Sequence, residues 1–233
     1  MPHHPSPSLP RRAARAAIAH AATVIAHAAT VIAPAAAVFL MAATLLPATA
    51  HAESSRACST PKELTPTQQD RLLRFAAVAR DELERAGRDV ALVARSGTDL
   101  SRFGERYSHA GLSLRDSANT RWSVRQLYYD CDVSRPRIFD QGLAGFLLDT
   151  DEPSLGYLSI VTLPAPPSRV LATTALDDRR ALGLLGATYS ANAYAFADRY
   201  QNCNQWVMEL LATAWGALPD GRDLRARAQQ WLP

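Results

Sequence analysis

Two residues of this sequence, Cys203 and His109, have side chains suited to nucleophilic catalysis. His109 is the single histidine after residue 52, which excludes a three-histidine zinc centre and a two-histidine zincin helix from that region. The sequence also has no Walker loop, no glycine-rich dinucleotide pattern after a predicted strand and no G-x-S-x-G turn. We therefore expect no metal and no cofactor. The chemistry that remains is attack by a thiol with histidine as its base.

The position of Cys203 also favours a reactive thiol. Asn202 can cap a helix that begins at Cys203, and the amide groups at a helix start lower the pKa of a thiol. A buried, inert cysteine is the alternative, because Cys203 shares an apolar stripe with Val207 and Leu211. A lone histidine on a strand can likewise be a structural residue.

The elements that must position these residues follow from hydrophobic periodicity and from cap and turn residues. Thr65 and Gln68 form a capping-box pattern at the start of a helix that Gly87 ends. The full prediction is a helix over 66–86, strands at 90–94, 107–114 and 122–129, a helical piece near 139–148, a strand at 155–163, one or two short helices within 168–186, a helix from 203 to 216, and a charged helix or frayed end over 222–232. The prolines of 164–167 are expected to break structure. Irregular mixing of strands and helices indicates an α+β fold in one domain, 53–233.

The first 52 residues differ in composition from the rest of the chain. They contain no Asp, Glu, Lys or Gly, and their three arginines precede an uncharged run rich in Ala, Val, Ile and Leu. Ala50-His51-Ala52 then gives the small-x-small pattern of a signal peptidase site. We predict a signal peptide over 1–52 and a periplasmic or secreted mature chain. The uncharged run 16–50 is long enough to span a bilayer, so a retained anchor is the alternative.

The charge balance excludes one class of partner. Three of the 25 Lys and Arg residues lie in the leader, so residues 53–233 carry 22 basic against 22 acidic residues. That balance, with Lys62 as the single lysine, lacks the basic excess of a nucleic-acid interface. We expect no nucleic-acid partner, and contact with a membrane only through an uncleaved leader.

Export would place three cysteines in an oxidising compartment, where they allow one disulfide and leave one thiol. If Cys203 stays a thiol, Cys58 and Cys131 are the remaining pair. We therefore predict a Cys58–Cys131 disulfide, with three free thiols as the alternative.

The motif YSHAGL at 107–112 lies on a predicted strand, and Asn202-Cys203 opens a predicted helix later in the chain. With histidine ahead of cysteine, the sequence resembles the circularly permuted NlpC/P60 group of papain-like thiol enzymes, which includes lecithin:retinol acyltransferase relatives and the YiiX-like bacterial proteins. More narrowly, the stretch from Asp89 to about Leu211, with SHAGL and YQNCNQWV, is similar to a bacterial family catalogued as DUF2145. The resemblance implies a permuted papain-like NlpC/P60 fold, a small antiparallel sheet packed against helices, with its core at about 89–216.

The resemblance implies His109 as base and Cys203 as nucleophile. A third polar residue normally lies on the strand after the histidine, where this sequence has no Asp or Glu. Gln126 is our choice, because its amide oxygen can accept the imidazole N–H. Ser123 and Arg125 are the alternatives.

The resemblance also implies an oxyanion site at the start of the cysteine helix. The backbone N–H of Cys203 is one expected donor, and the side chain of Gln201 or Tyr107 is the other. We expect an exported cysteine hydrolase or acyltransferase that forms an acyl-thioester on Cys203. Its substrate would be a small molecule, a cell-wall peptide amide or a lipid acyl ester. A non-catalytic envelope binding module on the same scaffold, or a structural envelope protein, is the alternative.

Overall fold

A computed structural model describes residues 58, 63–148, 155–194 and 196–232. The predicted leader over 1–52 lies outside these residues. The first helix, α1, is Pro66–Ala86, so the predicted helix is confirmed. The Thr65 side chain accepts from the Gln68 N–H, the Gln68 side chain accepts from the Thr65 N–H, and Gly87 ends the helix with a positive φ of 62°.

A single antiparallel sheet of five strands follows among the described residues. The strands are β1 (Val90–Arg95), β2 (His109–Leu114), β3 (Ser123–Asp130), β4 (Arg135–Gln141) and β5 (Leu158–Thr162). Their order is β4-β3-β2-β1-β5, and β2 and β3 form the predicted hairpin. β4 corrects the prediction of a helical piece from 139, because α2 begins only at Leu143 and ends at Leu148.

Four more helices complete the described chain: α3 (Ala165–Leu176), α4 (Asp178–Gly183), α5 (Cys203–Trp215) and α6 (Leu224–Trp231). The prediction that the prolines of 164–167 break structure is wrong, since α3 begins at Ala165 with prolines in its first turn. Proline fits there because the first helical N–H groups need no intrahelical acceptor. The helix predicted after Asn202 and the helical form of the tail are confirmed.

The two faces of the sheet are covered by different helices, because side chains alternate along each strand. One face packs against α3 and α5, with α6 packed on α5, and buries Leu92, Leu112, Leu127, Leu210 and Trp206. The other packs against α1 and α2 and buries Val93, Val124, Leu83 and Phe146. The expected α+β class is confirmed, with a small antiparallel sheet between helices.

Cys58 and Cys131 are joined by a disulfide, as the sequence predicted. The bridge ties the segment ahead of α1 to the turn between β3 and β4. Within the residues that the structure describes, no helix is long and apolar enough to cross a membrane.

Candidate functional site

Cys203 is the first residue of α5 and its side chain is buried, with 4% of the residue exposed. Asn202 caps the helix, since its side-chain oxygen accepts from the Gln205 N–H at 2.9 Å. The Asn202 amide also donates to the carbonyls of Ala191 and Ala193, which anchors the preceding loop. These bonds fix the start of α5 and therefore the position of the thiol.

The thiol of Cys203 lies against the strand that begins with His109. The backbone N–H of Ala110, the next residue along β2, donates to the sulfur. β2 pairs with β3 over Leu112–Leu114, so Ala110 lies ahead of that ladder. Cys203 is the free cysteine of the described chain, as the pairing of the other two required.

Burial raises the pKa of the Cys203 thiol. The N–H groups of Ala110, Asn204 and Cys203 itself and the charge of Arg95 act in the opposite direction without overcoming burial. The amide groups at the helix start lower this pKa as expected, but loss of hydration outweighs them, so the net shift is upward. The resting side chain is a neutral thiol, so a base must remove its proton during any reaction.

His109 begins β2 and is buried, with 6% exposed. Its Nε2 lies 2.5 Å from Oε1 of Gln126 on β3, the residue chosen from the sequence to orient it. The ring also meets Tyr128 edge to face at 5.4 Å between centroids, and Phe146 at 5.9 Å. The amide of Gln126 in turn donates to Oε1 of Gln141 on β4. Three side chains on three adjacent strands thus form one hydrogen-bonded chain.

The two alternatives to Gln126 have other partners. Ser123 Oγ accepts from the Thr120 N–H and the Asn119 amide in the turn before β3. Arg125 forms ion pairs with Asp140 and Asp178. Gln126 is therefore the one of these three residues that contacts His109 in this structure.

Gly111 allows the two strands to approach closely beside His109. A Cβ at this position would lie 2.7 Å from Val124 Cγ1 and 2.9 Å from the Arg125 carbonyl oxygen. Neither atom belongs to a flexible chain end, so residue 111 must lack a side chain. The glycine of the SHAGL motif thus has a packing reason.

The structure brings His109 and Gln126 into contact and places the Cys203 thiol on the backbone of the residue after His109. The direct sulfur-to-imidazole contact expected from the sequence stays a prediction. Tyr107, two residues before His109, is half-buried, and its role as an oxyanion donor also stays a prediction.

Gln201 does not fit the oxyanion role expected of it. Its amide nitrogen donates to the Leu184 carbonyl and to Glu209 Oε2, and its oxygen accepts from the Gly186 N–H. Both donor hydrogens are therefore used inside the protein. The assignment failed because these partners come from separate segments that no local motif reveals.

Two further features near α5 were missed from the sequence. Tyr189 is partly buried and lies close enough to Cys203 and Tyr128 for their charges to act on it, and loss of hydration is the main cause of its raised pKa. Glu209, fully buried on α5, binds Arg225 and Gln229 of α6 together with Gln201. We call Glu209, Arg225, Gln229 and Gln201 the glutamate cluster. No spacing pattern in the sequence marks either feature.

Burial raises the pKa of Glu209 to about 7, although Arg225 and the two glutamines favour its charged form. Arg225 also donates to the carbonyls of Ala197, Asp198 and Tyr200, so the glutamate cluster holds the segment leading to Cys203. In the described part of the chain, no group of three or more His, Cys, Asp or Glu side chains could hold a metal ion.

These observations define an α+β protein in which a buried cysteine at the start of a helix lies against a strand, and the histidine that begins that strand contacts a glutamine of the neighbouring strand. The chain belongs to the family described as "Uncharacterized protein conserved in bacteria (DUF2145)", whose model matches residues 82–233. That range includes the cysteine, the histidine and the glutamine. No curated protein and no solved structure matches the chain.

Proposed function

We propose that this protein is an exported cysteine hydrolase or acyltransferase, with Cys203 as nucleophile, His109 as base and Gln126 as the residue that orients His109. One observation carries the proposal: Nε2 of His109 is bonded to an amide oxygen, while the only thiol left by the disulfide among the described residues lies on the adjacent Ala110 N–H. An amide oxygen can only accept, so Nε2 carries the hydrogen. Nδ1 is then the nitrogen whose lone pair can take a proton from the thiol.

In the proposed reaction the Cys203 sulfur attacks the carbonyl carbon of an acyl substrate as the thiol proton moves to Nδ1 of His109. The imidazolium then returns this proton to the leaving amine or alcohol, and an acyl-thioester remains on Cys203. Water, or a second alcohol or amine, attacks the thioester with His109 again accepting the proton. The bond between the acyl carbon and the Cys203 sulfur then breaks, the acid, ester or amide product leaves, and the imidazolium returns the proton to the thiolate. Backbone N–H groups at the start of α5, with Tyr107, are the proposed donors to the oxyanion.

The permuted papain-like NlpC/P60 arrangement is part of this proposal. The chain order supports it, because the histidine strand β2 comes first, the strand with the orienting residue follows, and the cysteine helix α5 comes last. The antiparallel sheet packed against α5 agrees with the same arrangement. Cell-wall peptide amides and lipid acyl esters are the substrate classes that it implies.

Export through the leader over 1–52 is also proposed. The Cys58–Cys131 disulfide supports it, because such bridges persist in oxidising compartments and are rare in the cytosol. The mass of the mature N-terminus tests this, with Glu53 as the expected first residue. Recovery only of a membrane-bound chain that retains 16–50 would indicate an anchor instead.

Iodoacetamide labelling of the unreduced protein tests the chemistry, because the disulfide leaves Cys203 as the reactive thiol. We expect one adduct by intact mass, none in Cys203→Ala, and labelling slowed at least about tenfold in His109→Ala, since base catalysis contributes factors of about a hundred or more. Ser113→Ala is the matched control, because Ser113 is buried on the same strand. Labelling that is equally fast in His109→Ala and the control would contradict the role of His109 as base.

A binding module is the second candidate, and two observations favour it. Cys203 is buried with a raised pKa, which is also typical of an inert core cysteine. A groove of about 480 Å³ lies between α3 and the turns that follow α1 and β2, and it includes none of the proposed catalytic residues. Its charged lining residues are Arg88, Asp89, Arg115, Asp116 and Arg169. Labelling no faster than for free cysteine, with no acyl adduct from p-nitrophenyl acetate, would favour this candidate.

A further inference from the structure

Gln126 can orient His109 in two ways, because an amide side chain has an acceptor at one end and a donor at the other. With its oxygen toward the imidazole, as found here, Nε2 must carry the hydrogen. With its NH2 group toward the imidazole, Nε2 would have to accept, and the hydrogen would move to Nδ1. The second arrangement removes the lone pair that would accept the thiol proton. The direction of one amide therefore sets the tautomer of His109.

Gln141 contacts the far end of that amide. Its Oε1 accepts from the Gln126 NH2 group, which leaves the Gln126 oxygen pointing at His109. Val124 pairs with Gln141, and Gln126 with Phe139, in the β3–β4 ladder, so Gln126 and Gln141 are diagonal neighbours. Diagonal neighbours on one face of a sheet lie within reach of long side chains.

We propose that Gln141 is a positioning residue that sets the tautomer of His109 through Gln126. An acceptor at residue 141 holds the Gln126 oxygen toward Nε2 and keeps the hydrogen there. A donor at residue 141 attracts the Gln126 oxygen instead, turns the NH2 group toward His109 and moves the hydrogen to Nδ1. The effect on reactivity rests on the proposed function, whereas the effect on the tautomer does not.

Gln141 is suited to a direct test because it is exposed, so its replacement leaves the core intact. Gln141→Glu gives a group that can only accept, Gln141→Lys one that can only donate, and Gln141→Leu neither. Gln69→Lys is the matched control, since Gln69 is an exposed glutamine on α1 and the charge change is the same.

The tautomer is read from long-range proton–nitrogen NMR spectra of the full chain labelled with 15N-histidine, at about pH 8, above the ordinary histidine pKa. The His109 signals are those lost in His109→Ala. We expect hydrogen on Nε2 in the wild type and in Gln141→Glu, a mixture in Gln141→Leu, and hydrogen on Nδ1 in Gln141→Lys. The Gln69→Lys spectrum should match the wild type. Hydrogen on Nδ1 in the wild type, or one tautomer in all three variants, would overturn the proposal.

Iodoacetamide labelling of the same samples separates this inference from the proposed function. We expect labelling of Cys203 to fall about five- to tenfold in Gln141→Lys and to be retained in Gln141→Glu, in line with one redirected hydrogen bond. A changed tautomer with unchanged labelling would support the positioning role of Gln141 and contradict the role of His109 as base. Unchanged tautomers, with labelling that still depends on His109, would contradict the positioning role of Gln141 and support the role of His109 as base.

Discussion

Helix α5 contributes to two buried polar groups that use their hydrogen-bonding capacity differently. In the glutamate cluster, the Glu209 carboxylate receives hydrogen bonds from a cation and two amides, and Gln201 uses both of its donor hydrogens. The group around Cys203 contains a neutral thiol, an imidazole and an amide, and its sulfur receives a hydrogen bond from Ala110. The first group has the composition of a structural clamp, since a buried charge requires compensation. In the second, transfer of a proton from the thiol to the imidazole is part of the function proposed above.

The largest expected effect on stability comes from removing the centre of the glutamate cluster. Glu209→Ala leaves the Arg225 guanidinium without its carboxylate, and breaking a buried pair in this way typically costs about 3–5 kcal/mol. Urea denaturation measures the free energy of unfolding. Glu82→Ala is the control, because Glu82 forms an exposed ion pair with Arg85, and water and salt screen such pairs so that they contribute little to stability. Equal losses in the two variants would show that the cluster is not a clamp.

Stability should also depend on pH through Glu209. Its pKa is about 7 in the folded protein against an ordinary 4.5. Between these two pH values the folded protein keeps a proton on Glu209 that the unfolded chain has released. The free energy of unfolding should therefore fall as pH rises from about 4.5 to about 7, by on the order of 2–3 kcal/mol. Denaturation across this window measures the slope.

Glu209→Gln should flatten that slope, because the amide does not titrate. The window is specific to a raised pKa: Glu84, whose pKa its bond to Arg121 lowers to about 2, loses its contribution below pH 4.5 instead. A slope that persists in Glu209→Gln would assign the pH dependence to another group.

The smallest expected effect on stability belongs to the group around Cys203. Gln126→Leu removes its hydrogen bonds to His109 and Gln141, for a net loss of about 1–2 kcal/mol, yet should slow iodoacetamide labelling about tenfold. Gln201→Leu is the comparison, with a larger loss of stability because three internal hydrogen bonds disappear. If the labelling rate of both variants falls only in proportion to their loss of stability, the group around Cys203 has no effect on labelling beyond its contribution to stability.

Elements with local signals could be predicted from the sequence. The limits of α1 follow from Thr65, Gln68 and Gly87, which act within one turn of the helix ends. β4 could not be predicted, because Arg135-Pro136-Arg137 lacks apolar alternation and only the partner strand β3 specifies it. Proline is tolerated there because β4 is an edge strand.

The candidate site also contains features that local sequence signals predict and features that only tertiary contacts determine. The contact of His109 with Gln126 was predictable because the two strands form a hairpin and residues 122–127 contain no Asp or Glu that could compete. The thiol pKa was not, because a local rule about helix starts gives the opposite sign from tertiary burial. Gln201 was misassigned for a similar reason, since Glu209 and Leu184 reach it only in the folded chain.

The spacing between β2 and β3, which carry His109 and Gln126, depends on Gly111, a residue without a side chain. Any larger side chain there would meet Val124 and the Arg125 carbonyl and push β2 away from β3, carrying His109 away from Gln126. In a library of single substitutions, position 111 should therefore tolerate as little variation as positions 109 and 203 under selection for activity. The exposed Gly104, with nothing within 4 Å of an added Cβ, lacks that steric restriction, although its φ of 73° still favours glycine.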